Sequence, residues 1–469
     1  MIDKRLACSV LILLLFSYSL VAQEKKDSLK VFTLNQFYEE VYANHPLAKQ
    51  AKLMVDNAKS LQKAAKGNFD PKLFYQFNDK NFSDKNYYQL GNGGLSIPTK
   101  YGVEFKTGYE VNDGLYLNPE NKTPTNGLYY AQVSIPLVQG IMTDERRTIL
   151  KQSQINIKAS QAELAFQLNE LFYKAGKTFL EWQLSYNNLN VFKNAYSISK
   201  QRFDAVKKSV ELGDRPAIDT VEANIQVLDR LTGWQQAEMD FKNKGLQLSG
   251  FLWLPNNTPA MLDSLSIPDT KTISYNENTS ADNSLLTNIV SIHPNIQSAN
   301  YKLELLNAEK KLKNEKLKPL INVNYNPLMD AGKSPVFTPN NYKWGVSLNF
   351  PLFLRKERGE LMSTKIKIQQ SQLELEYKKN DISNKIKIAQ NEQEYSKNQL
   401  GIYKENIKNY QALWTAEKNL FDAGESSLFM INSRENSYIN AQLKLNEFDF
   451  KFNKSILELR YSKAQLNNF

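Results

Sequence analysis

The residues suited to proton or metal chemistry are few. Two histidines occur in 469 residues, His45 and His293, and each stands directly before a proline. A catalytic imidazole needs a nucleophile or carboxylate within reach, and a metal-binding one needs further ligands at set spacing. Neither histidine has such a companion. Both stand where a proline restarts a helix, so a capping or surface role is expected of them. The single cysteine, Cys8, lies inside an apolar N-terminal run. Carboxylates are abundant but mix with lysines along helical faces. No glycine-rich loop ends in a phosphate-binding lysine, and the eight methionines are scattered, unlike a soft-metal site. The expectation is a protein that is not an enzyme, with no cofactor and no metal.

The chain is basic, with 59 Lys and Arg against 49 Asp and Glu and a net charge of +10. That balance suits nucleic acid or an acidic membrane surface. The lysines, however, are spread among nearly as many acids, so no nucleic-acid partner is expected. Residues 1–22 read as a secretory signal: Lys4 and Arg5 open it, Leu6–Leu20 is its apolar core, and Val21-Ala22-Gln23 offers a cleavage point. Cys8 precedes most of that core, whereas a lipidated cysteine would follow it. Removal of the signal leaves 57 basic and 48 acidic residues, a net charge of +9, and no cysteine. No later apolar run has the length of a membrane-spanning helix, so a membrane protein made from this chain has to be a β-barrel.

The elements that would carry any site are two long helices. From about Asp144 to Leu212 the chain runs without proline, on the order of 100 Å as a helix. Leu150, Ile157, Leu164 and Leu171 recur in sevens, beside Leu168, Ala175, Trp182 and Leu189. A second proline-free run, about Arg358–Phe421, carries Leu361, Ile368, Leu375, Ile382 and Ala389 at the same spacing. Each run follows strand-like sequence, such as Tyr101–Val111 in the first case and Trp344, Val346, Leu348 and Phe350 in the second.

The two halves share their order. His45-Pro46 and His293-Pro294 are 248 residues apart, as are Pro71 and Pro319. The first repeat is expected over 23–253, with strands in 71–136 and a long helical hairpin in 144–252. A polar linker covers 254–283. The second repeat covers 284–469, with a β-hairpin in 319–351 and a helical hairpin in 358–466. The first half carries 33 more residues between its outer prolines than the second, 65 against 32. Either a loop is long, or a further hairpin around Tyr87–Ile97 joins the sheet. Four to six strands leave exposed edges, which lipid does not tolerate. Closure then needs several copies, and a trimer would supply about twelve strands, or eighteen with the extra hairpin.

The two helix turns are similar in kind: Leu212-Gly213-Asp214-Arg215-Pro216-Ala217-Ile218-Asp219 and Ala423-Gly424-Glu425-Ser426-Ser427-Leu428-Phe429-Met430. With their order, the duplication and the Pro-Leu pairs Pro136-Leu137 and Pro351-Leu352, the chain resembles the TolC-like outer membrane efflux proteins over nearly all its length past the signal. The resemblance implies an α+β membrane protein: a trimeric β-barrel continued by a long periplasmic α-helical barrel, two tandem repeats per chain. It implies a passive channel in the outer membrane of a Gram-negative bacterium, serving tripartite efflux or type I secretion. The implied partners are outer membrane lipid, a periplasmic adaptor (membrane fusion) protein and an inner-membrane RND or ABC transporter.

By the same resemblance, Gly213, Asp214, Arg215, Pro216 and Ala217, with Gly424, Glu425, Ser426 and Ser427, are the expected adaptor-docking turns. Family members often narrow the periplasmic mouth with aspartates just past the second turn. This chain has Phe429-Met430-Ile431-Asn432 there. A gate would then be apolar, from Phe429 and Met430, or acidic, from Asp219 and Glu222 of the first half. Helix-dipole stabilisation is an equal reason for Asp219. A secreted, envelope-scaffolding coiled-coil protein without channel activity is the competing reading. It explains the long helices and leaves the matched strands unexplained.

Overall fold

The computed structural model describes residues 30–271, 283–333 and 337–466. The expected signal lies outside them, as does most of the last part of the expected linker. In chain order the elements are β1 (Lys30–Phe32), α1 (Leu34–Asn44), α2 (Pro46–Gly67), β2 (Lys72–Phe82), β3 (Lys85–Pro98), β4 (Glu104–Asp113), β5 (Leu128–Pro136), α3 (Glu145–Glu211) and α4 (Ala217–Ser249). Then come β6 (Ser266–Pro268), α5 (Asn283–Ile292), α6 (Pro294–Glu315), β7 (Leu320–Asp330), β8 (Tyr342–Asn349), α7 (Arg355–Asp422) and α8 (Leu428–Ser462). None of the described helices is long and apolar enough to cross a membrane.

Two compact units divide the chain. The first holds the described parts of Met1–Val41, Ala175–Thr272 and Ile402–Phe450. Its core is aromatic: Phe37 stacks on Phe179 at 5.9 Å, and Trp182 stacks on Phe241 at 5.9 Å. The parallel pair β1–β6 belongs here, joined from Lys30–Ser266 to Phe32–Pro268. Gln183 of α3 donates from Nε2 to the Asp269 carbonyl at 2.7 Å. The segment expected to be a polar linker is thus partly built into the unit, through a strand too short to leave a periodic pattern.

The second unit holds Tyr42–Lys174, the described parts of Ile273–Gly401, and Lys451–Leu466. On α7 the ladder Leu361, Ile368, Leu375, Ile382 and Ala389 is buried throughout. Leu375, Ile382 and Ala389 pack with Val290, Ile296, Ala299 and Leu459. The α3 ladder is less regular: Leu150, Ile157 and Leu164 are half-buried, whereas Thr148, Ser153 and Ile155 are buried. A straight helix drifts about 20° per heptad, which moves the seam off a strict seven-residue register. Both histidines are buried helix caps. Nδ1 of His45 accepts from the Leu47 N–H at 3.1 Å, and Nδ1 of His293 accepts from the Asn295 N–H at 3.2 Å. Burial lowers both imidazole pKa values; for His293, with Lys385 adding to the effect, to about 4.

The sheet lies in this unit, in the order β2-β3-β4-β5-β7-β8, antiparallel throughout. The 33 additional residues therefore extend the sheet: the region around Tyr87–Ile97 is strand β3. Residues directly opposite each other share a face. Leu73 faces Leu95, Ile97 faces Phe105, Phe105 faces Val133, Val133 faces Tyr325, and Tyr325 faces Trp344. One face is thus apolar from edge to edge. The other runs through Glu104 opposite Ser134, Ser134 opposite Asn324 and Asn324 opposite Gly345. Polar side chains link there: Ser96 Oγ donates to Glu104 at 2.9 Å, and Tyr130 donates to Asn92 Oδ1 at 2.9 Å.

Candidate functional site

Helix α3 ends because Gly213 takes φ +82°, a conformation that costs other residues about 1–2 kcal/mol. Its N–H reaches the Val210 carbonyl at 3.0 Å, and the Asp214 N–H reaches Ser209 at 2.9 Å. The same pair of bonds closes α7. Gly424 has φ +79°, its N–H reaches Phe421 at 3.1 Å, and the Glu425 N–H reaches Leu420 at 2.8 Å. In each turn the last carbonyls of the helix are satisfied by the residues just past it. The space around both glycines is open: nothing lies within 4 Å of where a Cβ would stand.

The restarts differ. Pro216 caps α4 by its fixed φ of −61° and has no side-chain bond to offer. Ser427 caps α8 with its hydroxyl, which accepts from the Met430 N–H at 3.2 Å. Ser426 donates to the Glu417 carboxylate, tying the second turn back to its own helix. Arg215 joins the two turns. Its guanidinium lies over the Phe421 ring at 4.4 Å and reaches Asp219 at 3.5 Å. Beneath them Val206, Ala223, Leu428 and Ile431 form a small core drawn from α3, α4 and α8, and Phe421 of α7 packs against it.

Of the four expected gate residues, the two acids have partners. Asp219 has Arg215, and Glu222 accepts from Asn432 Nδ2 at 3.1 Å. Phe429 and Met430 are exposed, 68% and 36% respectively. Among the described residues no cluster of His, Cys, Asp and Glu could hold a metal ion.

Solved structures with the same arrangement are outer membrane channels. The Neisseria gonorrhoeae MtrE outer membrane channel, solved in its open state, matches with a TM-score of 0.67 at 13% identity, over 92% of this chain and 89% of that one. The Campylobacter jejuni CmeC outer membrane channel gives 0.65 at 12% identity, over 92% and 85%. The outer membrane protein VceC of Vibrio cholerae gives 0.65 at 12%, over 92% and 96%. The fold is that of the TolC-like outer membrane channels. No family model and no curated protein matches the chain.

Behind the turns this TolC-like fold carries a polar network that no motif in the sequence marks. Arg202 donates from Nη1 to Asn432 Oδ1 at 3.0 Å and pairs through Nη2 with Glu435, whose carboxylate is buried while the Arg202 side chain is partly so. Arg230 donates to Asn436. Burial pushes the Arg230 guanidinium pKa down, against the pull of Glu435. A weaker signal lies on α8: Asn432, Glu435 and Asn436 share one helical face at i, i+3 and i+4. Ile431 and Ile439 flank them, so that face had to be interior.

Proposed function

We propose that the chain is a passive export channel of the outer membrane in a Gram-negative bacterium. It acts as a homotrimer whose sheets form one barrel and whose helices continue it as a periplasmic tube. An adaptor protein and an inner-membrane RND or ABC transporter deliver the substrate; the channel performs no chemistry. The two halves of the chain are tandem repeats, supported by the equal 22-residue lengths of α2 and α6 and by the matching glycine-closed turns.

The observation that carries this reading is the sheet. A six-stranded sheet with one face apolar from edge to edge and the other polar suits a wall between lipid and water. The turns at Gly213–Ala217 and Gly424–Ser427 are the proposed docking points for the adaptor. Of the two gate readings, the apolar one is favoured, because Asp219 and Glu222 already have partners whereas Phe429 and Met430 are uncovered.

The test is the molar mass of the protein extracted from membranes by detergent, with the detergent contribution subtracted by light scattering. A trimer is expected. A protein that is soluble without detergent, as a monomer or dimer, would remove the barrel.

A further inference from the structure

We propose that β2 of one chain hydrogen-bonds to β8 of the next, so that three copies close a barrel of eighteen strands with the β2–β3 hairpin as part of its wall. This rests on the channel reading above and adds the edges that meet and the bore that results.

Four observations support the seam. First, β2 and β8 are the two ends of the sheet, and among the described residues neither has a partner on its outer side. Both are long and free of proline, and both carry large exposed apolar residues, Leu73 at 85% and Leu348 at 69%. Soluble proteins guard such edges, and a bilayer leaves them no water to bond.

Second, the directions fit. Six strands, all antiparallel, leave β2 and β8 running in opposite directions. Neighbouring copies then meet antiparallel, like every other pair in the sheet. An odd number of strands would force one parallel joint per copy.

Third, the faces fit. Leu73, Tyr75 and Phe77 on β2 lie on the same apolar side as Trp344, Val346 and Leu348 on β8. A one-residue slip would turn one strand's apolar residues inward, so the seam has to set odd-numbered β2 residues opposite even-numbered β8 residues.

Fourth, the hairpin is wall and not loop. β2 pairs with β3 from Lys72–Ser96 to Phe82–Lys85, and β3 pairs with β4 from Gln89–Asp113 to Pro98–Glu104. On the apolar side β3 offers Gly91 and Gly93, and the Tyr75 ring lies close over Gly93, 3.1 Å from where a Cβ would stand. An aromatic side chain there covers a glycine in the middle of the sheet. Barrel diameter grows roughly linearly with strand number, and walls of sixteen to eighteen strands leave an open aqueous channel. Eighteen strands give a bore about half again as wide as twelve would.

The test is cysteine cross-linking in isolated outer membranes, in a Cys8→Ser background that removes the only native thiol. Tyr75→Cys is combined in one chain with Trp344→Cys, Val346→Cys or Leu348→Cys and oxidised. One of the three pairs is expected to give covalent dimers and trimers. Phe105→Cys on β4, combined with the same three β8 positions, is expected to give only monomer. A variant that fails to assemble is replaced by one carrying Leu73→Cys or Phe77→Cys, which lie on the same strand face. Cross-links from Phe105 would put β4 at the seam and the β2–β3 hairpin outside the wall, overturning the proposal. A trimer by light scattering with no β2–β8 cross-link would overturn it as well, with the channel reading intact. Absence of any trimer would remove both.

Discussion

At the residue scale, polar groups such as His293 and Arg202 serve as structural fixtures. His293 accepts a backbone N–H at the start of α6, which only the neutral imidazole does. Its folded pKa of about 4 lies below the unfolded value of about 6.5, so the folded chain binds fewer protons between them. The stability linked to this group is fully present above about pH 6.5. It is lost as pH falls toward 4, by up to about 3 kcal/mol. His293→Asn keeps a capping acceptor without the titration. Its thermal midpoint should therefore vary less between pH 6.5 and 4 than the parent's; an unchanged slope would count against this role. The Arg202–Glu435 pair makes a second prediction. Arg202→Ala strands a buried carboxylate and should cost about 3–5 kcal/mol, read as a lower midpoint in detergent. Replacing both partners with Met and Leu should recover most of the loss. If the double variant were no better than the single one, the pair would not be the cause.

At the element scale, legibility in the sequence depends on how local the causes are. The helix boundaries follow from single residues: prolines at 46, 216 and 294, and glycines at 213 and 424. Both turns are therefore legible from residue type and spacing. Strand β3 is not, because Gly91, Gly93 and Gly94 stand where alternating side chains would have marked it. Tyr75, from the neighbouring strand, fills part of the space they leave. The pairings β1–β6 and Arg202–Glu435 join residues more than 200 positions apart. No window of sequence contains both partners, and only the fold brings them together. The sheet's two faces give the prediction at this scale. Val346→Arg places a charge on the apolar face and should cost about 2–4 kcal/mol near the bilayer midplane. The fraction of protein recovered in the outer membrane should fall. Ser347→Arg, on the polar face, should leave it nearly unchanged. Equal recovery of the two variants would show that the faces are assigned wrongly.

At the scale of the whole molecule, the turns should matter for transport and not for assembly. Gly213→Val with Gly424→Val strains both turns, since β-branched residues resist positive φ, and the open space around them leaves the rest untouched. The expected result is a trimer of unchanged mass with export abolished in cells. Full export by the double variant would sink the docking assignment. The β2–β3 addition has a consequence for how channels built as proposed above would vary. A chain can lengthen its sheet only by whole hairpins, because a lone extra strand would reverse the direction of everything after it. In the proposed threefold ring each such insertion would be counted three times. On this trimeric reading, bore size would be a stepped trait, changing by six strands at once with no intermediate width. One in-frame insertion about thirty residues long takes the whole step without altering any residue of the turns.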